Sequence, residues 1–366
     1  IQFTANATGP GTLLYSWNFG NGPTPFSTNN TLTHNFSDPG RHVVTLTVRD
    51  GDGNEQLQTF VQLVHQSLTA GKPGTSTGVM EYASRGEVWN VNPDNDSVTV
   101  IDPTMQSVLA EIGVGEEPRN LAIAPDGRVW VTNKASATVS IIDPVTYTVS
   151  DQLPLKVGSQ PHGIVMGPSA AYIALEASGE ILSLNNSSGS ELNRAVVGKR
   201  PRHLALSESA DNLLVSLFVT PPLPDEATDS PVVDDGFSLY GGNVLRLDPA
   251  SLATLSTVVL QHSNRVVSEH SGPGVPNYLG PAVISPDGSA AWVPSKQDNI
   301  LAGALRGGQG MTFDQTVRAV TSKIELGDFS ESFPFRVDHD NASVASHAAF
   351  DPCLLYTSDA ADECSC

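Results

Sequence analysis

Apolar and polar positions alternate along most of this chain in short runs, as in HVVTLTV (42–48), LQTFVQLV (57–64), SVTVID (97–102), TVSIID (138–143) and NVLRLD (243–248). That period of two belongs to strands with one side chain set facing inward and the other away, and it predicts an all-β chain. The alternation is itself repeated. VGEEPRNLAIAPDG begins at Val114, VGSQPHGIVMGPS at Val157, VGKRPRHLALSES at Val197, and a diverged LGPAVISPDG at Leu279. Each is followed by a short apolar strand (129–132, 172–175, 213–217, 291–294), and the best copies add a polar hairpin and a second strand ending in Asp-Pro, at Pro103, Pro144 and Pro249. Pro118 and Pro161 stand 43 residues apart, Pro161 and Pro201 stand 40 apart, and Asp102 and Asp143 stand 41 apart. This is the length of a four-stranded propeller blade; a helical repeat of similar length would lack the alternating Val/Ile runs.

The first 66 residues read differently. YSWNFGNG (15–22) is followed by THNFSDPGRHVVTLTVRDGDG (33–53), in which Asp-Pro-Gly and Asp-Gly-Asp-Gly supply tight turns and Val43, Thr45 or their neighbours form the buried face. A small antiparallel β-sandwich is expected. Trp17, Phe19, Pro39, Gly40, Val48 and Asp50 match a WDFGDG-like strand end and an HxYxxPGxYxVxLxVxD-like hairpin, so this unit resembles a PKD domain, with Asn18 and Asn21 where that family usually has Asp. The Gly/Ser/Thr/Pro stretch that follows reads as a linker over 67–81. From 82 to 352 the chain resembles a YVTN-type β-propeller, on the strands VWVTN (129–133) and NVNPDNDSVTVID (90–102) and the PDG turns at 125–127 and 286–288. The motifs amount to about five blade units, the last incomplete, so an incomplete propeller of four-stranded blades is expected, lacking the strands that close the ring. Insertions at 220–242 and 262–278 break the period and are expected to be loops on one rim.

The end of the chain is set aside from this reading. CLLYTSDAADE (353–363) is what the end of a common transposase sequencing adapter encodes, and SHAAFDP (346–352) stops where a further strand is due; residues 353–366 are read as adapter read-through, not native protein. All three cysteines lie in that tail, which leaves no disulfide framework and no thiolate metal site elsewhere. A net charge of −20 in a lysine-poor chain speaks against nucleic acid as a partner. No stretch approaches the run of about 18 apolar residues that would span a membrane.

Candidate chemistry sits just after the repeated proline. There the copies carry Arg119, His162 and Arg202, and one position further Asn120, Gly163 and His203, while His347 aligns with His203. Loops at one repeat position converge on the mouth of a propeller's channel. Histidines from several blades could hold a metal or a haem edge, and Arg119 and Arg202 could accept a small anion, while the stronger reading of all five is ordinary loop polarity. Asp126 and Asp287 in PDG turns, and Asp102, Asp143 and Asp248 before proline, read as turn-forming carboxylates. Asp50, Asp52 and Asn54 lack the downstream Glu of an EF-hand and read as a hairpin turn. The acidic residues Asp225, Glu226, Asp229, Asp234 and Asp235 read as a solvated loop. No nucleophile elbow, P-loop, HExxH or CxxCH motif is present.

These features point to an extracytoplasmic (secreted, cell-surface or periplasmic) scaffold, without a catalytic residue, cofactor or metal of its own in this segment, whose rim binds protein or glycan. Stretches from 281 to 352 resemble surface or periplasmic proteins in which a propeller precedes a dihaem peroxidase-like domain. That resemblance implies a redox enzyme with haem beyond the end of this segment. A propeller hydrolase or lactonase is the third reading, and the Arg, His and Asn at the channel positions, in place of carboxylates, count against it.

Overall fold

A computed structural model describes residues 1–37, 40–64, 74–221, 241–268, 271–299, 316–339 and 342–350. The tail from Cys353, Pro39 and the acidic residues of the 220–242 insertion lie outside them. Among the described residues, every element longer than a single 3-10 turn is a β-strand, and every strand pairing is antiparallel. The chain divides into two compact units, one over Ile1–Ala70 and one over Gly71–Ala349.

The first unit holds β1 (Gln2–Thr4), β2 (Leu14–Asn18), β3 (Thr31–Thr33), β4 (Gly40–Arg49) and β5 (Glu55–Val64), arranged as a β2-β4-β5 sheet and a β1-β3 pair. Its core is aromatic. Phe3, Tyr15, Trp17, Phe19 and Val44 are buried, and the Phe3 ring lies 5.2 Å from Phe19 and 5.8 Å from Trp17. Along β4 it is Val44, Leu46 and Val48 that face this core, while Val43 is exposed. Asn18 takes over the acceptor role of the usual Asp: its Oδ1 receives the backbone N–H groups of Gly20 and Gly22. Asp50 Oδ1 likewise receives those of Asp52 and Asn54, which is hairpin-turn chemistry.

The second unit is a row of sheets. After a short strand β6 (Gly74–Thr75), the first sheet comprises β7 (Val79–Tyr82), β8 (Glu87–Asn92), β9 (Ser97–Asp102) and β10 (Ser107–Gly113). The second comprises β11 (Pro118–Ile123), β12 (Val129–Asn133), β13 (Thr138–Asp143) and β14 (Thr148–Pro154), and the third β15 (Pro161–Met166), β16 (Ala170–Leu175), β17 (Glu180–Asn185) and β18 (Glu191–Val196). The fourth comprises β19 (Pro201–Leu206), β20 (Leu213–Leu217), β21 (Gly241–Leu247) and β22 (Thr254–Gln261), with β6 added against β19. A larger fifth sheet contains β23 (Ser263–Ser268), β24 (Ser271–Asn277), β25 (Val283–Ile284), β26 (Ala290–Asp298), β27 (Val317–Glu325), β28 (Ser330–Glu331) and β29 (Val337–His339).

Period-two alternation explains why these sheets stack face to face. Trp89, Val91, Val98 and Val100 of the first sheet meet Leu121, Val129, Val131 and Ile142 of the second. The opposite face of the second, Trp130, Val139 and Ile141, meets Ile164, Ile173, Leu182 and Leu184 of the third. The third packs on the fourth through Tyr172 and Ile181 against Leu204, Val215 and Leu245, and the fourth on the fifth through Leu214, Val244 and Leu260 against Leu279, Val293 and Ile324. Burying a side chain of this size stabilises by about 1.5–3 kcal/mol, so each interface contributes substantially before entropy is counted. Trp89, Trp130 and Tyr172 are the aromatic anchors of this stack, and Trp292 lies half-buried on the fifth sheet.

Two sequence expectations change. The 262–278 insertion is not a loop: it forms β23 and β24, and β24 pairs with β26 over Val275 to Asn277. Its glycines and prolines read as irregular, yet the middle of the strand, Gly274 to Pro276, is buried. Nor is all of 67–81 a free linker. Thr75 pairs with Ala205 and Gly74 with Leu206, Ser76 exchanges hydrogen bonds with the backbone of Leu204, and Thr77 bridges Leu121. Small residues are required here by close approach rather than by flexibility: Ser76 is wholly buried, and a Cβ on Gly78 would meet the Arg119 carbonyl oxygen at 3.2 Å.

Candidate functional site

In an antiparallel four-stranded sheet, the connection entering the first strand and the hairpin joining the second to the third lie at the same end. The repeated prolines open the first strands β11, β15 and β19, so the residues singled out from the sequence gather on this loop face. The entry is built alike each time. Glu117, Gln160 and Arg200, each just before a proline, have φ of +57°, +55° and +54°. The ladder then shifts register between Pro118 and Asn120, between Pro161 and Ile164, and between Pro201 and His203. A bulge at this place re-aims the side chains that follow the proline. Gly163 marks the tightest point, since a Cβ there would lie 2.4 Å from the Arg202 carbonyl oxygen.

Four of the five predicted residues are linked through direct contacts or neighbouring strands. The rings of His162 and His203 stand edge to face at 5.2 Å, and His347 meets His203 in the same way at 6.0 Å. His347 reaches this place from a non-strand segment, tied by the Ala345 N–H to the Ser295 carbonyl, rather than from the first strand of a further blade. Arg202 ion-pairs with Glu176 at 2.6 Å. Arg119 pairs instead with Glu117 beside it, and it is joined to the cluster by charge rather than contact: burial and then the nearby Arg202 charge lower its pKa.

A second tier of residues was not read from the sequence. Lys134, Glu176 and Phe218 each follow directly after the second strand of successive sheets, and their N–H groups donate to the carbonyls of Glu117, Gln160 and Arg200. The carboxylate of Glu176, 4% exposed, accepts a hydrogen bond from Arg202 on one oxygen and forms an ion pair with Lys134 through the other at 3.2 Å. Burial alone would raise its pKa. The Arg202 hydrogen bond and the charges of Arg202 and Lys134 outweigh burial and hold it below the usual carboxylate range. The guanidinium of Arg202 also lies 3.2 Å from the Phe218 ring centroid; Phe218 stacks on Tyr278 at 4.7 Å, and Lys296 caps Tyr278 at 4.4 Å. This column holds Arg202 in one orientation.

The histidines behind this tier are neutral. Burial, then the charges of His203, Arg202, Lys134 and Arg119, pushes His162 well below its ordinary pKa; burial, then His347 and Arg202, takes His203 down to about 3. The buried Nδ1 atoms of both have no hydrogen-bond partner. Among the described residues, no three His, Cys, Asp or Glu side chains converge in the manner of a metal site. The turn carboxylates do what turns require: Asp102, Asp143 and Asp248 accept N–H groups two or three residues on, and so do Asp126 and Asp287.

Beside Arg202 opens a cavity of about 820 Å³, lined by Lys134, Gln160, Glu176, Ser178, Lys199, Arg200 and Arg202 among others. Among the described residues, four cations face one carboxylate there, in a chain of net charge −20. Lys199 and Arg200 are exposed, and Ser178 Oγ and Arg202 Nε are buried without a hydrogen-bond partner.

With that geometry established, comparison with known proteins defines the class: an all-β protein with a PKD-like N-terminal domain and a propeller-like array. Residues 1–63 match the PKD domain family, and residues 47–213 match a family described only as a domain of unknown function (DUF5074). No curated protein sequence matches the chain. Among solved structures, Kuenenia stuttgartiensis hydrazine synthase is similar in fold, with a TM-score of 0.51 and 20% identity over 72% of this chain and 65% of that one. Virginiamycin B lyase from Staphylococcus aureus gives a TM-score of 0.42 and 13% identity over 71% of this chain and 75% of that one. No helix among the described residues is long and apolar enough to cross a membrane.

Proposed function

We propose that the protein is an extracytoplasmic binding scaffold in which the propeller-like array, read as a YVTN-type propeller on its VWVTN strand and its spacing, captures anionic ligands on its loop face. The PKD domain supports the extracytoplasmic setting and an interaction role. One observation carries the ligand class: Lys134, Lys199, Arg200 and Arg202 surround a cavity in which Glu176 is the one carboxylate among the described residues, while the chain as a whole is strongly acidic. Such a local excess attracts anions against the overall field, and the attraction is screened by salt. The two pairs at Glu176 leave the charges of Lys199 and Arg200 free to meet a ligand, while Arg202, held by Phe218 and Glu176, presents a preorganised planar donor set suited to carboxylate or phosphate.

Calorimetric titration with tripolyphosphate at low and high salt tests this. Binding is expected at low salt and weakens as salt rises, and replacing Lys199 and Arg200 together by Gln weakens it about tenfold. Absence of binding at low salt, or indifference to the double substitution, would overturn the reading.

A further inference from the structure

The cavity beside Arg202 favours a particular kind of anion, and this step rests on the anion-binding reading above. Most of the described residues in its wall are polar or charged, although their aliphatic stems together with Ala177 and Val196 make its surface about as apolar as polar. Gln160 and Ser178 contribute uncharged polar side chains, and among the described residues Ala177 and Val196 are the apolar side chains in it. Among the described residues no aromatic side chain lines it; the rings of Phe218 and Tyr278 beside Arg202 are stacked on each other and capped by Arg202 and Lys296. A ligand with a large flat apolar body, such as a nucleotide base or an aryl acid, would therefore find no face to stack on. The cations are also spread over separate elements: Lys134 on the hairpin after β12, Lys199 and Arg200 on the loop before β19, and Arg202 within β19. That spacing suits several negative groups carried at intervals rather than one compact anion. About 820 Å³ is room for a ligand of a few sugar rings.

We infer that the cavity takes a carboxylated oligosaccharide, a chain of uronic-acid-type sugars. Its carboxylates meet Lys199, Arg200 and Arg202. Its hydroxyls, both donors and acceptors, meet Gln160 and Ser178, and a hydroxyl donor is tolerated close to the buried Glu176 where a second bare anion is repelled.

Three probes of matched size separate charge from hydroxyl recognition. Titration with trigalacturonate should show binding; its methyl ester, with the same rings and no charge, and triaspartate, with the charge and no sugar hydroxyls, should each bind at least about tenfold more weakly. Ser178→Ala should weaken trigalacturonate several-fold and leave tripolyphosphate unchanged, whereas Lys199→Gln with Arg200→Gln should weaken both. Triaspartate binding as tightly as trigalacturonate, or Ser178→Ala lowering both anions alike, would overturn the sugar assignment while leaving an anion site standing. Failure of tripolyphosphate and trigalacturonate together would overturn both. Both charge substitutions are at exposed positions, so folded variants are expected, and thermal unfolding of each confirms it.

Discussion

Glu176 shows at the scale of one residue how the loop face is held. Its carboxylate is buried between Arg202 and Lys134, which come from the fourth and second sheets. Removing it strands two partly buried cations. Glu176→Ala should therefore destabilise by about 3 kcal/mol, the range for breaking a buried pair, whereas Glu117→Ala, at a more exposed pair, should cost under about 1 kcal/mol. Urea denaturation of the two variants decides. His203 adds a pH dependence. Its folded-state pKa of about 3 lies below the ordinary value near 6.5, so the unfolded chain binds the extra proton. Stability is then complete above about pH 6.5 and falls as the pH drops from there toward 3, by up to about 1.4 kcal/mol per pH unit for this group, with His162 adding to the same trend. Denaturation midpoints measured across that window should flatten in His203→Phe, whose ring needs no hydrogen-bond partner; an unchanged slope would count against the assignment. Arg119, His162 and Arg202 were legible because they recur behind the same proline. Lys134, Glu176 and Phe218 were not: they occupy one repeat position, but a cation, an anion and a ring share no sequence signature, and each reads alone as hairpin polarity.

Elements were more legible than sites wherever the period of two survived. The strands after each proline and those ending in Asp-Pro were visible because alternation and turn chemistry agree there. What the period could not reveal is close approach. At 74–78 and 271–277, small residues and prolines look like breaks, and only the neighbouring strands show that they are packed. Gly163 follows the same rule within a strand. Gly163→Ala, which places a Cβ against the Arg202 carbonyl, should cost about 2 kcal/mol by pushing β15 away from β19. A lowered urea midpoint at unchanged slope is the expected signature. The same displacement should move Arg202 relative to the cavity, so tripolyphosphate binding should fall in a variant that is still folded under the assay conditions.

The whole molecule is two units with separate cores. The aromatic cluster of Phe3, Trp17 and Phe19 draws no member from the later sheets, so residues 1–66 expressed alone should unfold in a single cooperative transition. Broad, non-cooperative melting would show that the sandwich depends on the remainder of the chain. The sandwich and the repeat were both legible, the first from its hairpin motifs and the second from its spacing. The contribution of β6 was hidden in a stretch that looked like spacer. Chain entering the second unit meets β19 first, then touches β15 through Ser76, bridges β11 at Thr77, and only at Val79 begins the first sheet. Tension drawn along the chain from the sandwich side is consequently delivered to the hub of the array and not to an outer strand. Peeling an outer strand breaks its bonds one after another at low force. Here the strap must be sheared from several sheets together, so a protein tethered by its sandwich and loaded through a captured ligand should hold its array intact to higher force than one in which Ser76 and Thr77 are replaced by Gly.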